Sequence, residues 1–132
     1  MRTKRILVVD DEPKIRELVK RALEPYHYYV VTASNGEQGL QYAQRHRVDL
    51  ILLDLMMPKM DGFDVLLRLK ASASTIGIPV VILTAKSDSQ SILQSQALLA
   101  RDYLVKPFDL EVLVRTVIRY AKPQRLEQEI PS

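Results

Sequence analysis

The sequence predicts an α/β fold in which one five-stranded parallel sheet is doubly wound, with helices on both faces. Three observations predict it. Short aliphatic and β-branched runs alternate five times with segments of helical periodicity, and the connections between them are short. The run Leu50-Ile51-Leu52-Leu53 is apolar without a break, too short for a helix and the right length for a strand buried on both faces. Finally, such alternation calls for right-handed crossovers, which place the strands parallel and the helices outside.

The elements follow in order. Ile6 to Val9 is a β-branched run that ends in Asp10-Asp11-Glu12. Pro13 opens a helix in which Ile15, Leu18, Val19 and Ala22 recur at helical spacing, and Pro25 ends it. Tyr28 to Thr32 reads as the second strand, and Asn35-Gly36 begins a weaker helix with Leu40 and Ala43 inward. The third strand ends at Asp54. Pro58 and Asp61-Gly62 then impose a loop, because Pro lacks a donor and Gly reaches conformations other residues avoid. A helix over roughly Phe63 to Ala71 follows, with Phe63, Leu66, Leu67 and the stem of Lys70 toward the core. After a turn at Ile76-Gly77-Ile78-Pro79, Val80 to Leu83 is the fourth strand, ending at Thr84. Asp88 to Ala100 is a helix rich in Ser and Gln, its apolar face reduced to Ile92, Leu93, Ala97 and Leu98. Tyr103 to Val105 is the fifth strand and leads into Lys106-Pro107. In the last helix Leu110, Leu113, Val114, Val117, Ile118 and Ala121 form one stripe, which Pro123 stops. The whole is a flavodoxin-like sandwich of five strands and five helices over residues 1–122, followed by a polar tail or linker stump at 123–132.

At 132 residues and 47% hydrophobic, the chain suits one domain with one core. It has no cysteine, which excludes disulfides, thiolate metal sites and thiol chemistry. No apolar run is long enough to span a bilayer and no signal-peptide layout opens the chain, so the expectation is a soluble, cytoplasmic protein with no membrane partner. The net charge of +3 raises the question of nucleic acid. The cations are scattered, however, with no interleaved aromatics for base stacking and no recognition helix, so direct nucleic-acid binding by this chain is not expected.

In an open parallel sheet the carboxyl ends of the strands share one edge, where ligands bind. Four apolar runs here end there in Asp10 and Asp11, Asp54, Thr84 and Lys106. Three clustered carboxylates repel one another, and a hard divalent cation such as Mg²⁺ relieves this through oxygen ligands. With the acids so engaged, an Asp54 carboxylate oxygen can attack phosphorus. Lys106 and Thr84 then supply the cation and hydroxyl that stabilise a transferring group with charge on three oxygens.

These residues carry a resemblance to a known family. Ile6-Leu7-Val8-Val9-Asp10-Asp11-Glu12, Asp54-Leu55-Met56-Met57-Pro58-Lys59-Met60-Asp61-Gly62, Thr84-Ala85 and Asp102-Tyr103-Leu104-Val105-Lys106-Pro107-Phe108 resemble, in order and spacing, the receiver domain of two-component response regulators. The likeness spans essentially Lys4 to Ala121. It implies that Asp54 accepts a phosphoryl group from a phosphohistidine of a sensor histidine kinase, or from a small donor. It further implies that Asp10, Asp11, Asp54 and the backbone carbonyl of Met56 hold Mg²⁺, and that Lys106 bridges to the phosphoryl oxygens with a cis bond to Pro107. Thr84 would shift toward the phosphoryl group and Tyr103 would turn inward, altering the face made by the fourth helix, fifth strand and fifth helix. Downstream stands a partner protein or a fused output domain, and a homodimer is left open. By itself Tyr103 reads as a half-buried strand aromatic, and Lys86 as either a solvated cation or one that influences phosphodonor approach. His27 and His46 read as surface or loop residues, and Met56, Met57 and Met60 as packing or loop-lining ones.

The chain departs from the family at Leu99, where Gly is usual. A left-handed helix end costs other residues about 1 kcal/mol or more, so the expectation is a fourth helix that is shifted, frayed or unusually packed, with Leu98 or Leu99 open to a partner. Two other readings compete with the switch. A Mg²⁺-dependent phosphatase with an Asp nucleophile usually needs a second acid two residues on, where this chain has Met56. A degenerate receiver would lack the acids, hydroxyl and ammonium that are present. The chain is thus expected to act as a phosphoacceptor, with at most slow self-dephosphorylation, rather than as an enzyme.

Overall fold

A computed structural model describes residues 3–123. Five strands, β1 (Arg5–Val9), β2 (Tyr29–Ala33), β3 (Leu50–Leu53), β4 (Val80–Thr84) and β5 (Asp102–Val105), form one sheet in the order β2-β1-β3-β4-β5. Every pairing is parallel. The order reverses between β1 and β3, which creates the crevice expected of a doubly wound sheet at their carboxyl ends.

Alternation along the strands divides the core. Leu7, Val9, Ile51, Leu53, Val80 and Ile82 meet α2 (Gly36–Arg45) and α3 (Gly62–Lys70) on one face. Ile6, Val8, Leu50, Leu52, Val81 and Leu83 meet α1 (Pro13–Leu23) and α5 (Leu110–Tyr120) on the other. Pro25 lies in a 3₁₀ turn, Glu24–Tyr26, that extends α1 after its last α-helical residue. Side chains set the other helix starts. Asn35, Asp61, Asp88 and Asp109 accept backbone N–H groups at the ends of α2, α3, α4 (Ser89–Ala97) and α5.

Three inward faces differ from expectation. In α3 the buried stripe is Gly62, Val65, Leu66 and Leu69, and Leu67 is 53% exposed. The helix begins one residue earlier than expected, and Val65 and Leu69 complete a 3.6-residue stripe from which Leu67 points away. Lys70 instead bends its ammonium onto the carbonyls of Ile76 and Ile78, at 3.2 and 2.9 Å, tying down the following loop. In α4 the buried residues are Ser91 and Ser95, and Leu93 is 64% exposed. In α5, Leu110 faces outward while Leu113, Val114, Thr116 and Val117 face in.

At α4 the expected unusual packing and open Leu99 are what is found: the helix buries Ser91 and Ser95, and Leu99 is 58% exposed. The helix has nine residues, as α3 does, and Leu99 closes it in the left-handed region at φ 67°. The N–H groups of Leu99 and Ala100 reach the carbonyls of Gln96 and Ser95, both at 2.9 Å, which is the Schellman arrangement. The strain falls on one exposed residue rather than on helix length.

Candidate functional site

Four of the expected side chains sit where a strand stops, while Tyr103 lies within β5. Asp10 follows β1, Asp54 follows β3, Thr84 is the last residue of β4, and Lys106 follows β5. Backbone bonds extend the sheet into these positions. Asp10 N–H donates to Ala33 at 3.1 Å, Asp54 N–H to Val9 at 3.0 Å, and Lys106 N–H to Thr84 at 2.8 Å. The ammonium and the carboxylates are therefore carried on a rigid edge.

Lys106 Nζ lies 2.7 Å from Asp10 Oδ2, 3.2 Å from Asp54 Oδ2 and 3.2 Å from Glu12 Oε1. Asp10 and Asp54 are almost wholly buried. Asp54 Oδ1 accepts the Met56 N–H at 3.0 Å, and Asp10 Oδ1 accepts the Glu12 N–H at 2.9 Å. Arg16 donates to the Asp10 carbonyl at 2.8 Å and so braces the loop after β1. Asp10 Oδ2, though close to Lys106, has no aligned hydrogen-bond donor among the described residues.

Burial pushes the Asp10 carboxyl above its usual range, and the charge of Asp54 adds to this, against the opposing Lys106 and Glu12 N–H. Burial by itself would lower the Lys106 pKa, but Asp10, Asp54 and Glu12 outweigh it and hold the ammonium charged. Asp10, Asp11, Glu12 and Asp54 each offer a carboxylate oxygen within 4.8 Å of the others. Oxygen-only donors and four clustered carboxylates facing one ammonium suit a hard divalent cation.

Thr84 is fully buried at the same edge, and its Oγ1 faces the Lys86 N–H at 3.4 Å. The Tyr103 hydroxyl donates to the Lys86 carbonyl at 2.6 Å, which bridges the β4–α4 loop to β5. Burial, then the nearby Asp88 and Asp54 charges, raise its phenol pKa. Lys86 itself is exposed. The Lys106–Pro107 bond is cis. Gly62 is needed for closeness rather than for an unusual φ, since a Cβ there would overlap the Asp54 carbonyl oxygen. The left-handed residue of that loop is Lys59, at φ 69°. Sequence reasoning gave no role to Glu12 or Arg16. Glu12 had one signal, its place directly after two acids, whereas the Arg16 contact leaves no sequence mark.

The response regulator receiver domain family matches residues 6–118. The DNA-binding dual master transcriptional regulator RpaA of Synechocystis is 45% identical over 113 residues, 86% of this chain and 47% of that protein. The response regulator GtcR of Aneurinibacillus migulanus is 41% identical over 114 residues, 86% of this chain and 46% of that protein. The chain spans about half the length of the curated relatives it matches. The chemotaxis protein CheY4 of Vibrio cholerae superposes with a TM-score of 0.85 at 33% identity, over 90% of this chain and 99% of that one. The receiver domain of the sensor histidine kinase PA1611 from Pseudomonas aeruginosa, which has magnesium coordinated in its active-site cleft, gives 0.82 at 28% identity, over 90% and 98%. On its sequence and its fold, this chain belongs to the response regulator receiver domain family.

Proposed function

We propose that the chain is the phosphoacceptor switch of a two-component phosphorelay in the cytoplasm. The observation that carries this reading is the convergence of Lys106 on the buried Asp10 and Asp54 at the ends of three strands. Asp10, Asp11, Asp54 and the Met56 carbonyl would hold Mg²⁺, which neutralises the carboxylates and the phosphoryl charge. An Asp54 carboxylate oxygen forms the new bond to phosphorus as the donor's bond to phosphorus breaks. The donor group, a kinase imidazole or acetate, leaves with the bonding electron pair. Lys106 exchanges its carboxylate partners for phosphoryl oxygens, and the Thr84 hydroxyl donates to another.

The same group biases the output face. Drawing Thr84 toward Asp54 pulls on the loop whose Lys86 carbonyl holds the Tyr103 hydroxyl. Tyr103 then turns inward and the α4–β5–α5 surface changes for a downstream partner or a fused output domain. The curated relatives are about twice as long as this chain, and the named function of RpaA suggests a DNA-binding output in the longer protein. Turnover of outside phosphate esters does not follow, because Met56 stands where a general acid would be needed.

Acetyl phosphate or beryllofluoride should label the chain stoichiometrically, only with Mg²⁺, and not after Asp54→Ala. Labelling that survives Asp54→Ala, or catalytic hydrolysis of a phosphate ester, would overturn the assignment.

A further inference from the structure

We infer that Glu12 is a positioning residue for Lys106. It retains the ammonium at the mouth of the site when Asp10 and Asp54 turn to a divalent cation, and hands it over to an arriving phosphoryl group. The inference deepens the phosphoacceptor reading and rests on it.

Glu12 occupies the N-cap of α1, where a side-chain oxygen ordinarily accepts a backbone N–H of the first turn. Its side chain makes no such bond. It crosses instead to Lys106, whose Nζ donates to Oε1 at 3.2 Å. The three carboxylates around that ammonium are not equivalent. The side chains of Asp10 and Asp54 are 1% and 2% exposed, whereas that of Glu12 is 56% exposed. A divalent cation on the buried oxygens repels the ammonium from them, and Glu12 is then the carboxylate left to hold it. Because the Glu12 N–H is bonded to Asp10 Oδ1, the spare carboxylate stays registered to the buried one. With its carboxylate partner 56% exposed to water, the Lys106–Glu12 pair is weaker than the buried pairs beside it, which is what a handover to phosphoryl oxygens requires. The negative charge of Glu12 thus favours the metal and opposes the phosphoryl group.

That opposition distinguishes positioning from a merely structural role. Titration calorimetry of the full chain with MgCl₂, and with beryllofluoride at saturating Mg²⁺, would be run on wild type, Glu12→Gln and Glu12→Asp. One charge removed at this distance shifts binding about three- to tenfold. Glu12→Gln should therefore weaken Mg²⁺ and tighten beryllofluoride, each by about that factor. Glu12→Asp keeps the charge but is one methylene short, so its Mg²⁺ affinity should stay within about twofold of wild type. In both variants the Lys106 ammonium nitrogen signal of the Mg²⁺ form should lose its protection from solvent exchange. The inference is overturned if the two affinities of Glu12→Gln move in the same direction or not at all, or if the Lys106 signal matches wild type. If wild type itself takes no beryllofluoride, the phosphoacceptor reading falls and this inference with it. If wild type takes it and Glu12→Gln does the same equally well, only the role of Glu12 falls.

Discussion

Lys106 shows how the site's function bears on its stability. Two buried carboxylates face its ammonium, and removing one partner of such a cluster leaves uncompensated charge. Asp10 can take up a proton more readily than an ordinary carboxyl, which limits the damage. Lys106→Met should therefore lose about 1–3 kcal/mol in urea melts with chelator present, and Mg²⁺ should recover more stability in the variant than in wild type. Equal stability with chelator would contradict the charge balance described here. Legibility at this scale followed chain order. Asp10, Asp11, Asp54, Thr84 and Lys106 could be found because each ends an apolar run. The Glu12 contact joins residues 94 positions apart, and no local pattern encodes it. The sequence pattern at Gly62 points to freedom of φ, yet the structure uses its lack of a side chain against the Asp54 backbone.

At the level of elements, strands were easier to read than helix faces, because a buried strand is apolar throughout while a helix face depends on where the helix begins. Leu66 and Leu67 show the difference: adjacent and alike, one is fully buried and the other 53% exposed. Leu66→Ala should cost about 2–5 kcal/mol, and Leu67→Ala about 0.5 kcal/mol or less, in the same denaturant assay. Comparable losses would mean that the α3 stripe is misassigned. Helix α4 is the weakly anchored element, since it buries serines rather than large apolar side chains. Its ends therefore matter. Leu99→Gly relieves a left-handed conformation at an exposed position and should stabilise the chain by about 0.5–1 kcal/mol. A loss on that substitution would show that the Leu99 side chain contributes more than its backbone costs. At the other end, hydrogen bonds from Ser91 lower the Asp88 pKa. A depressed carboxyl adds stability above its unfolded pKa of 3.8 and loses it as pH falls through the lower folded value. Relative to Asp88→Asn, wild type should thus lose its advantage only below about pH 4, read as amide exchange in α4. A difference that does not vary with pH would sink this account of the cap.

Across the whole molecule, alternation of strand and helix was sufficient to foresee the sheet, its parallel sense and the shared edge, because right-handed crossovers leave few other arrangements. The polar stretch 124–132 lies outside the described residues. No helix among the described residues is long and apolar enough to cross a membrane. The strand ends converge on one chemical claim, that the carboxylate after β3 takes up phosphorus with the help of a divalent cation. Reductive trapping tests it most directly: treat the chain with acetyl phosphate, reduce with borohydride, and map the modified residue by mass spectrometry. The expected result is conversion at position 54 with Mg²⁺ and none with chelator. Conversion at Asp10 or Asp11 instead, or at Asp54 without any divalent cation, would contradict the account.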